Sequence, residues 1–234
     1  MARIVNEQEF KAHRNQILDV ARKLIYTRGY EQMSIQDILQ ELKMSKGAFY
    51  HYFDSKPELL EALIERLLDE SEMLTRPIFD DPYLTPLEKL RLWFETATAW
   101  KTSRKSFMLA LVRAWYADEN AILRQKMFGK SVKRLAPLIE QVLIEGIRQG
   151  ELNTPYPRQD AEVICYLFLG LGDKFSEMLM AFEQQLDTEA RTGSLRNIED
   201  SLRAYSDALE RLLGAPPGSL LLMDSSFIQT WFGD

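Results

Sequence analysis

The 234-residue chain is short of the residues that most enzymes and secreted proteins depend on: it has one cysteine and two histidines. A single thiol, Cys165, excludes an internal disulfide. Its setting in Val163-Ile164-Cys165-Tyr166-Leu167-Phe168 reads as a buried, inert packing group. His13 and His51 with that cysteine are too few for a His/Cys metal cluster or a nucleophilic triad, so neither metal nor cofactor is expected. A glycine-rich phosphate loop is missing, as is the Glu-x-x-His pattern of a carboxylate di-metal site, and the many carboxylates fall on solvated helix faces. No apolar run reaches the roughly 20 residues of a membrane span. The start, Met1-Ala2-Arg3-Ile4-Val5-Asn6-Glu7, lacks the apolar stretch of a signal peptide, so a cytoplasmic protein with no membrane partner is expected. Strand-like alternation bounded by turn dipeptides is absent too, which points to an all-α chain.

What is present is a hydrophobic content of 46%, enough for a sizeable core in one or two domains. The most informative stretch is Met44-Ser45-Lys46-Gly47-Ala48-Phe49-Tyr50-His51-Tyr52-Phe53. Ser45 can cap a short helix, and Phe49 and Phe53, four apart, turn together into a core. The remaining faces carry Lys46 with Tyr50, Gly47 with His51, and Ala48 with Tyr52, so most outward groups can donate a hydrogen bond. Upstream, Ser34 precedes Ile35, Ile38, Leu39 and Leu42 at helical spacing, with Asp37 completing a capping box. Only Lys43 and Met44 separate the two. Two short amphipathic helices with so short a join form a helix-turn-helix, whose second helix enters the DNA major groove. Spacing alone leaves open two packed helices of an ordinary bundle.

Charge is uneven. Residues 1–56 carry nine Lys or Arg against seven Asp or Glu, whereas the whole chain stands at −6. A basic head on an acidic body suits DNA binding and discourages indiscriminate adhesion, although the asymmetry is modest.

Further along, Ile17, Leu18, Ala21, Leu24 and Ile25 mark a first helix stopping at Gly29. Ser55 and Glu58 cap a fourth helix with Leu59, Leu60, Leu63, Ile64, Leu67 and Leu68, expected to end before Pro77. Residues 76–84 read as a linker, and Thr85-Pro86-Leu87-Glu88 restarts a helix. A polar break at 101–105 precedes a shorter helix. A long one follows from about Ala121 to Gln149, with a kink expected near Pro137. Asp160 is expected to cap the next helix, apolar nearly all round from Val163 to Leu171. The last helix repeats Leu195, Ile198, Leu202, Tyr205, Leu209 and Leu212, a seam that needs a partner helix from this chain or another. The apolar residues beyond Pro216-Pro217 are expected to pack against body or partner.

From Ile17 to Leu63 the sequence resembles the tetracycline-repressor (TetR) family of bacterial transcription regulators. The likeness covers Ala21, Leu24 to Tyr30, Ser34 to Leu42, Ser45-Lys46-Gly47, Tyr50 to Phe53, Ser55-Lys56 and Leu59. It implies a helix-turn-helix domain over 1–55 and a helical effector-binding and dimerisation domain over 56–234, about nine helices in all. It also implies a homodimer on double-stranded operator DNA, a fourth helix that carries ligand-induced movement, and a small-molecule effector favouring a DNA-incompetent arrangement. A repressor is the expected sign, with an activator or a helical ligand-binding module as alternatives.

Within that reading, Lys46 can reach guanine O6 and N7, the Ala48 methyl can meet a thymine methyl, and Gly47 allows close approach. Tyr50, His51 and Tyr52 offer polar tips to phosphates or base edges. Ser34 and Ser45 stand at helix N-termini whose free amides favour phosphate. The resemblance assigns Tyr50 and Lys56 to the DNA backbone. Trp93, Trp100, Phe107, Met108, Trp115, Tyr116, Phe168 and Phe175 suggest an aromatic effector cavity, although core packing accounts for each singly. Gly170 and Gly172 permit close helix approach, and with Leu195, Ile198, Leu202, Tyr205, Leu209 and Leu212 they make the expected four-helix dimer interface.

Overall fold

A computed structural model describes residues 7–184, 187–223 and 225–233; the leader reading of the first residues falls, up to Asn6, outside the described residues. The described chain is all-helical, with ten α-helices and a short 3-10 turn at Asp118–Asn120. The tenth helix lies in the segment after Pro217. Packing divides the chain into two compact units: residues up to Glu70 with Arg104–Met127, and Ser71–Ser103 with residues from Phe128 onward.

In the first unit, α1 (Glu7–Arg28) starts ten residues before its first fully buried side chain and stops where Gly29 takes φ 83°. Ile17, Leu18, Ala21, Leu24 and Ile25 form its inner stripe. Against it lie α2 (Ile35–Leu42), α3 (Lys46–Tyr50), the first half of α4 (Lys56–Asp80) and α6 (Lys105–Trp115). Ile38, Phe49, Phe53, Leu59, Leu60 and Leu63 complete the core. The Ser55 hydroxyl accepts from the Glu58 amide at 3.2 Å, while the Glu58 carboxylate takes the Asp54 amide at 2.6 Å, so both ends of the expected capping pair are used. Arg22 stands 5.0 Å above the Phe107 ring and reaches Glu70 at 3.5 Å, fastening α6 to α1. At 2.7 Å Arg66 holds Asp19.

The second unit contains the rest of α4, α5 (Pro86–Thr102), most of α7 (Ala121–Gln149), α8 (Pro157–Glu183), α9 (Thr188–Leu213) and α10 (Ser225–Phe232). Thr85 and Glu88 form the capping box expected of α5. A part-buried ion pair, Lys89 to Glu145 at 3.1 Å, ties α5 to α7. The residues after Gly214 fold back: buried Glu210 accepts the amides of Gly218 and Leu220 at 2.9 and 2.8 Å, and the Ser206 hydroxyl accepts that of Leu222 at 3.3 Å. Phe227, Trp231 and Phe232 then surround the Phe175 ring, and Trp231 Nε1 donates to Thr102 Oγ1 at 2.9 Å. The apolar segment is thus core of the body.

Two expectations need correction. α4 does not stop before Pro77 but continues to Asp80, leaving a shorter linker. Pro77 frees the carbonyl of Met73, and Met73 is 77% exposed, so water can take up that bond. Asp160 does not cap α8. The helix begins at Pro157, and Asp160 is buried in its first turn, where its carboxylate accepts from the Thr154 hydroxyl. The described residues form ten helices, in line with the expected number of about nine. α7 runs unbroken through Pro137, and Gly150 closes it at φ 77°.

Candidate nucleic-acid interface

Two capped helices and a two-residue turn build the site. At the start of α2 the Ser34 hydroxyl accepts the Asp37 amide at 3.2 Å, and the Asp37 carboxylate accepts the Ser34 amide at 2.8 Å and its hydroxyl at 2.6 Å. Arg28 adds a contact at 2.8 Å. The Ser34 hydroxyl first, its amide next and the Arg28 charge last hold the Asp37 carboxyl below the usual carboxylate range. At the other end of α2, Lys43 adopts the left-handed conformation, φ 50° and ψ 40°, and the chain reverses into α3. There Ser45 accepts the Ala48 amide at 3.2 Å.

α3 is five residues long and divides its side chains cleanly. Phe49 is fully buried, its ring 6.0 Å from that of Phe53. Ser45, Lys46, Gly47, Tyr50 and His51 are exposed and Ala48 is half-buried. Lys46 Nζ lies 5.9 Å from the Tyr50 ring centroid, so a cation and a phenol share one side of the helix. A methyl built on Gly47 would meet nothing within 4 Å. No packing inside the protein demands glycine there, and the open space faces outward.

His51 and Tyr52 are supported from α1. The Phe10 ring lies tilted against Tyr52 at 4.8 Å and meets His51 edge-on at 5.6 Å, while His13 lies 6.2 Å from Tyr52. Tyr52 is therefore half-buried and less available than Tyr50, which is 40% exposed. Phe10 was missed by sequence reasoning, although an aromatic seven residues before Ile17 in a polar stretch is a periodic signal. Lys56, at the start of α4, sits 4.3 Å above the Tyr30 ring and donates to the Glu31 carbonyl at 3.3 Å. Tyr30 is buried; desolvation first, then Glu119 and Glu31, raise its pKa to about 12. Ser34 and Lys56 thus stand at the N-termini of α2 and α4, each already engaged with its own surroundings.

The aromatic residues singled out from sequence do not form one group. In the second unit Trp93, Phe94 and Phe168 pack ring to ring at 4.6 to 5.3 Å, with Phe79 against Trp93 at 5.8 Å. Trp100 is buried, and Phe175 belongs to the α10 cluster. Phe107, Met108, Trp115 and Tyr116 belong to the first unit, where Arg124 lies 5.1 Å from the Tyr116 ring and donates to the Trp115 carbonyl at 2.7 Å. A surface groove of about 500 Å³ runs between α7 and α8, floored by Val132 and Ala136 and edged by Lys133, Glu140, Arg158 and Tyr166, apart from these rings.

Of the seam on α9, Ile198, Leu202 and Leu209 are buried within the protomer, while Leu195, Tyr205 and Leu212 keep part of their surface. Gly170 and Gly172 on α8 are half-buried, with the Tyr205 hydroxyl 3.9 Å from where a Gly170 methyl would lie. Cys165 is fully buried, and burial with the Glu162 charge pushes its thiol up to about 12, which makes it unreactive. Among the described residues no cluster of His, Cys, Asp and Glu is fit to hold a metal, and no helix is long and apolar enough to cross a membrane.

Comparison with known proteins agrees with this geometry. The family model described as bacterial regulatory proteins, tetR family, matches residues 17–63. ArpR of Pseudomonas putida, a probable HTH-type transcriptional regulator, is 31% identical over 168 residues, 70% of this chain and 79% of that protein. YfiR of Bacillus subtilis, an HTH-type transcriptional regulator, is 26% identical over 189 residues, 73% of this chain and 81% of that one. The crystal structure of a TetR-family transcriptional regulator from Pectobacterium atrosepticum superposes with TM-score 0.63 at 23% identity, covering 90% of this chain and 99% of that one.

Proposed function

The chain belongs to the tetR family of bacterial regulatory proteins and is a DNA-binding transcriptional regulator; from that premise we propose that it is a cytoplasmic repressor, acting as a homodimer on an inverted-repeat operator and released by a small hydrophobic or aromatic effector. The observation that carries the reading is the division of α3, with Phe49 buried and Lys46, Gly47 and Tyr50 exposed on a helix that nothing inside the unit covers. Family membership also sets aside the enzyme class.

DNA binding falls to 1–55 and the adjoining Lys56, with Lys46, Ala48 and close approach at Gly47 reading bases, and with Tyr50, His51, Ser34, Ser45 and Lys56 positioning the phosphates. Tyr52 is a lesser contributor because Phe10 covers it. Effector binding and dimerisation fall to 56–234. The outward sides of α8 and α9, at Gly170, Gly172, Leu195, Tyr205 and Leu212, make the dimer face, with Ile198, Leu202 and Leu209 supporting it from beneath. The effector site is the aromatic group Trp93, Trp100, Phe168 and Phe175 in the second unit. An effector acts only by binding the DNA-incompetent arrangement more tightly than the other.

The test is binding of the purified protein to its own upstream intergenic DNA by anisotropy across salt concentrations, alongside Lys46→Ala. Specific binding whose logarithm falls linearly with log salt, and a changed base preference in Lys46→Ala, is the expected result. Indifference to DNA sequence, repeated with randomised DNA after ligand removal, would overturn the reading.

A further inference from the structure

Lys101, next to last in α5, has an environment unlike that of the other lysines. Among the described residues no carboxylate, carbonyl or hydroxyl accepts a hydrogen bond from its ammonium; its contact is the face of the Phe168 ring, 5.0 Å away. Burial alone moves its pKa, downward, with no acid offsetting the loss of water. A ring face makes up for only part of the water that an ammonium gives up, and the part left uncovered is a cost.

The surroundings say what would relieve that cost. Phe168 is the outer ring of a cluster whose inner members, Trp93 and Phe94, are 2% and 1% exposed. Phe168 and Lys101 are both half-buried, so the cluster is open to solvent at this edge, where the cation lies. A flat apolar body can lie along Phe168 only if it tolerates a positive charge beside it. An anionic group gains most from that position, because it supplies the missing counter-charge in a partly dehydrated place, where a neutral acceptor supplies only a hydrogen bond.

We propose that Lys101 is the anion-binding residue of the effector site, and that the effector is an aromatic or lipophilic acid whose carboxylate or phenolate pairs with this ammonium while its ring system lies along Phe168. This rests on the reading that the second unit binds an effector, and it names the chemical class. A neutral or cationic aromatic of the same shape leaves the ammonium unpaired and binds more weakly.

The experiment uses matched acid and amide pairs of graded size, benzoate and benzamide, 2-naphthoate and 2-naphthamide, 4-phenylbutyrate and 4-phenylbutyramide. Each is titrated by tryptophan fluorescence into the wild type and Lys101→Met at pH 7.5. At least one acid should bind the wild type tenfold or more tightly than its amide, and Lys101→Met should abolish that preference while leaving amide affinity unchanged. Lys101→Met should also keep full operator affinity and melt no lower than the wild type, since methionine fills the same length without the charge. Equal affinities within every pair, failure of every acid to bind, a preference that survives in Lys101→Met, or a lower melting temperature for the variant would overturn the assignment. An amide that binds and releases operator DNA would keep the effector and discard Lys101. Operator binding that no compound of either kind relieves would count against the effector itself.

Discussion

At Gly47 a methyl group would meet no atom of the protein within 4 Å, so the fold gains nothing from glycine there. Gly47→Ala should raise stability by about 0.5–1 kcal/mol through helix propensity and yet weaken operator binding, because the methyl occupies the space a base pair would approach through. Thermal melting and anisotropy on the same sample check the two signs; unchanged operator affinity would remove Gly47 from the interface. Lys43 is the opposite case, a side chain carried at φ 50° where glycine is at ease. Lys43→Gly should stabilise the protein by up to about 1 kcal/mol, the left-handed penalty less the entropy glycine loses on folding, read as a rise in melting temperature. Tyr30 supplies a pH dependence. Its folded pKa of about 12 lies above the ordinary phenol value of 10.0, so the native state holds its proton more tightly than the unfolded chain. That contribution is fully present below pH 10 and is lost as pH rises through 12. Tyr30→Phe should delay alkaline unfolding, followed by circular dichroism between pH 9 and 12, and no delay would mean another group drives it.

Among the elements, α1 to α3 were legible in the sequence because their determinants are local: inward residues recur at three and four, and the Ser34–Asp37 box and the Ser45 cap lie within one turn of what they stabilise. Pro77 misled because its cost depends on whether the freed carbonyl reaches water, a fact of exposure rather than of sequence. Asp160 misled because a carboxylate near a helix start has the same local pattern whether it caps the helix or bonds a threonine six residues earlier. The α9 seam was visible, but a 3–4 repeat has the same form whether its partner is α8 of the same chain or a helix of another. α10 was legible only as apolar, since its seat around Phe175 and Phe182 lies more than forty residues upstream. One residue fastens that segment: Glu210 accepts two backbone amides through its two oxygens. Glu210→Gln turns one acceptor into a donor facing an N–H, and should cost about 1–3 kcal/mol, with faster amide exchange confined at first to residues 216–223. Uniform exchange across α8 and α9 instead would show that the carboxylate holds the bundle and not the segment.

For the proposed homodimer as a whole, the decisive property is symmetry, which one chain's sequence does not display. A twofold dimer places two α3 helices about 34–36 Å apart, one helical turn of DNA, or a multiple of that distance. Inserting about 5 base pairs between operator half-sites should therefore abolish specific binding, while inserting a full turn, of about 10, should restore part of it if the body allows the longer span. Affinity indifferent to both insertions would mean that the chains bind as independent heads. The charge distribution acts at this scale as well: the body carries the excess of acid and the head the excess of base, so raising salt should weaken operator binding steeply while leaving the protein folded.

The fold-back of residues 216–223 and 225–233 also sets an order of events during synthesis. Phe175 and Phe182 are made about fifty residues before Phe232, which packs against both. At about 5–20 residues per second, the nascent second unit spends seconds with these rings incompletely covered while its first unit, whose residues are complete by Met127, already has what it needs to close. A pause in translation late in the message, or a shortage of chaperones that shield apolar surface, would therefore lower the yield of soluble protein through the body alone.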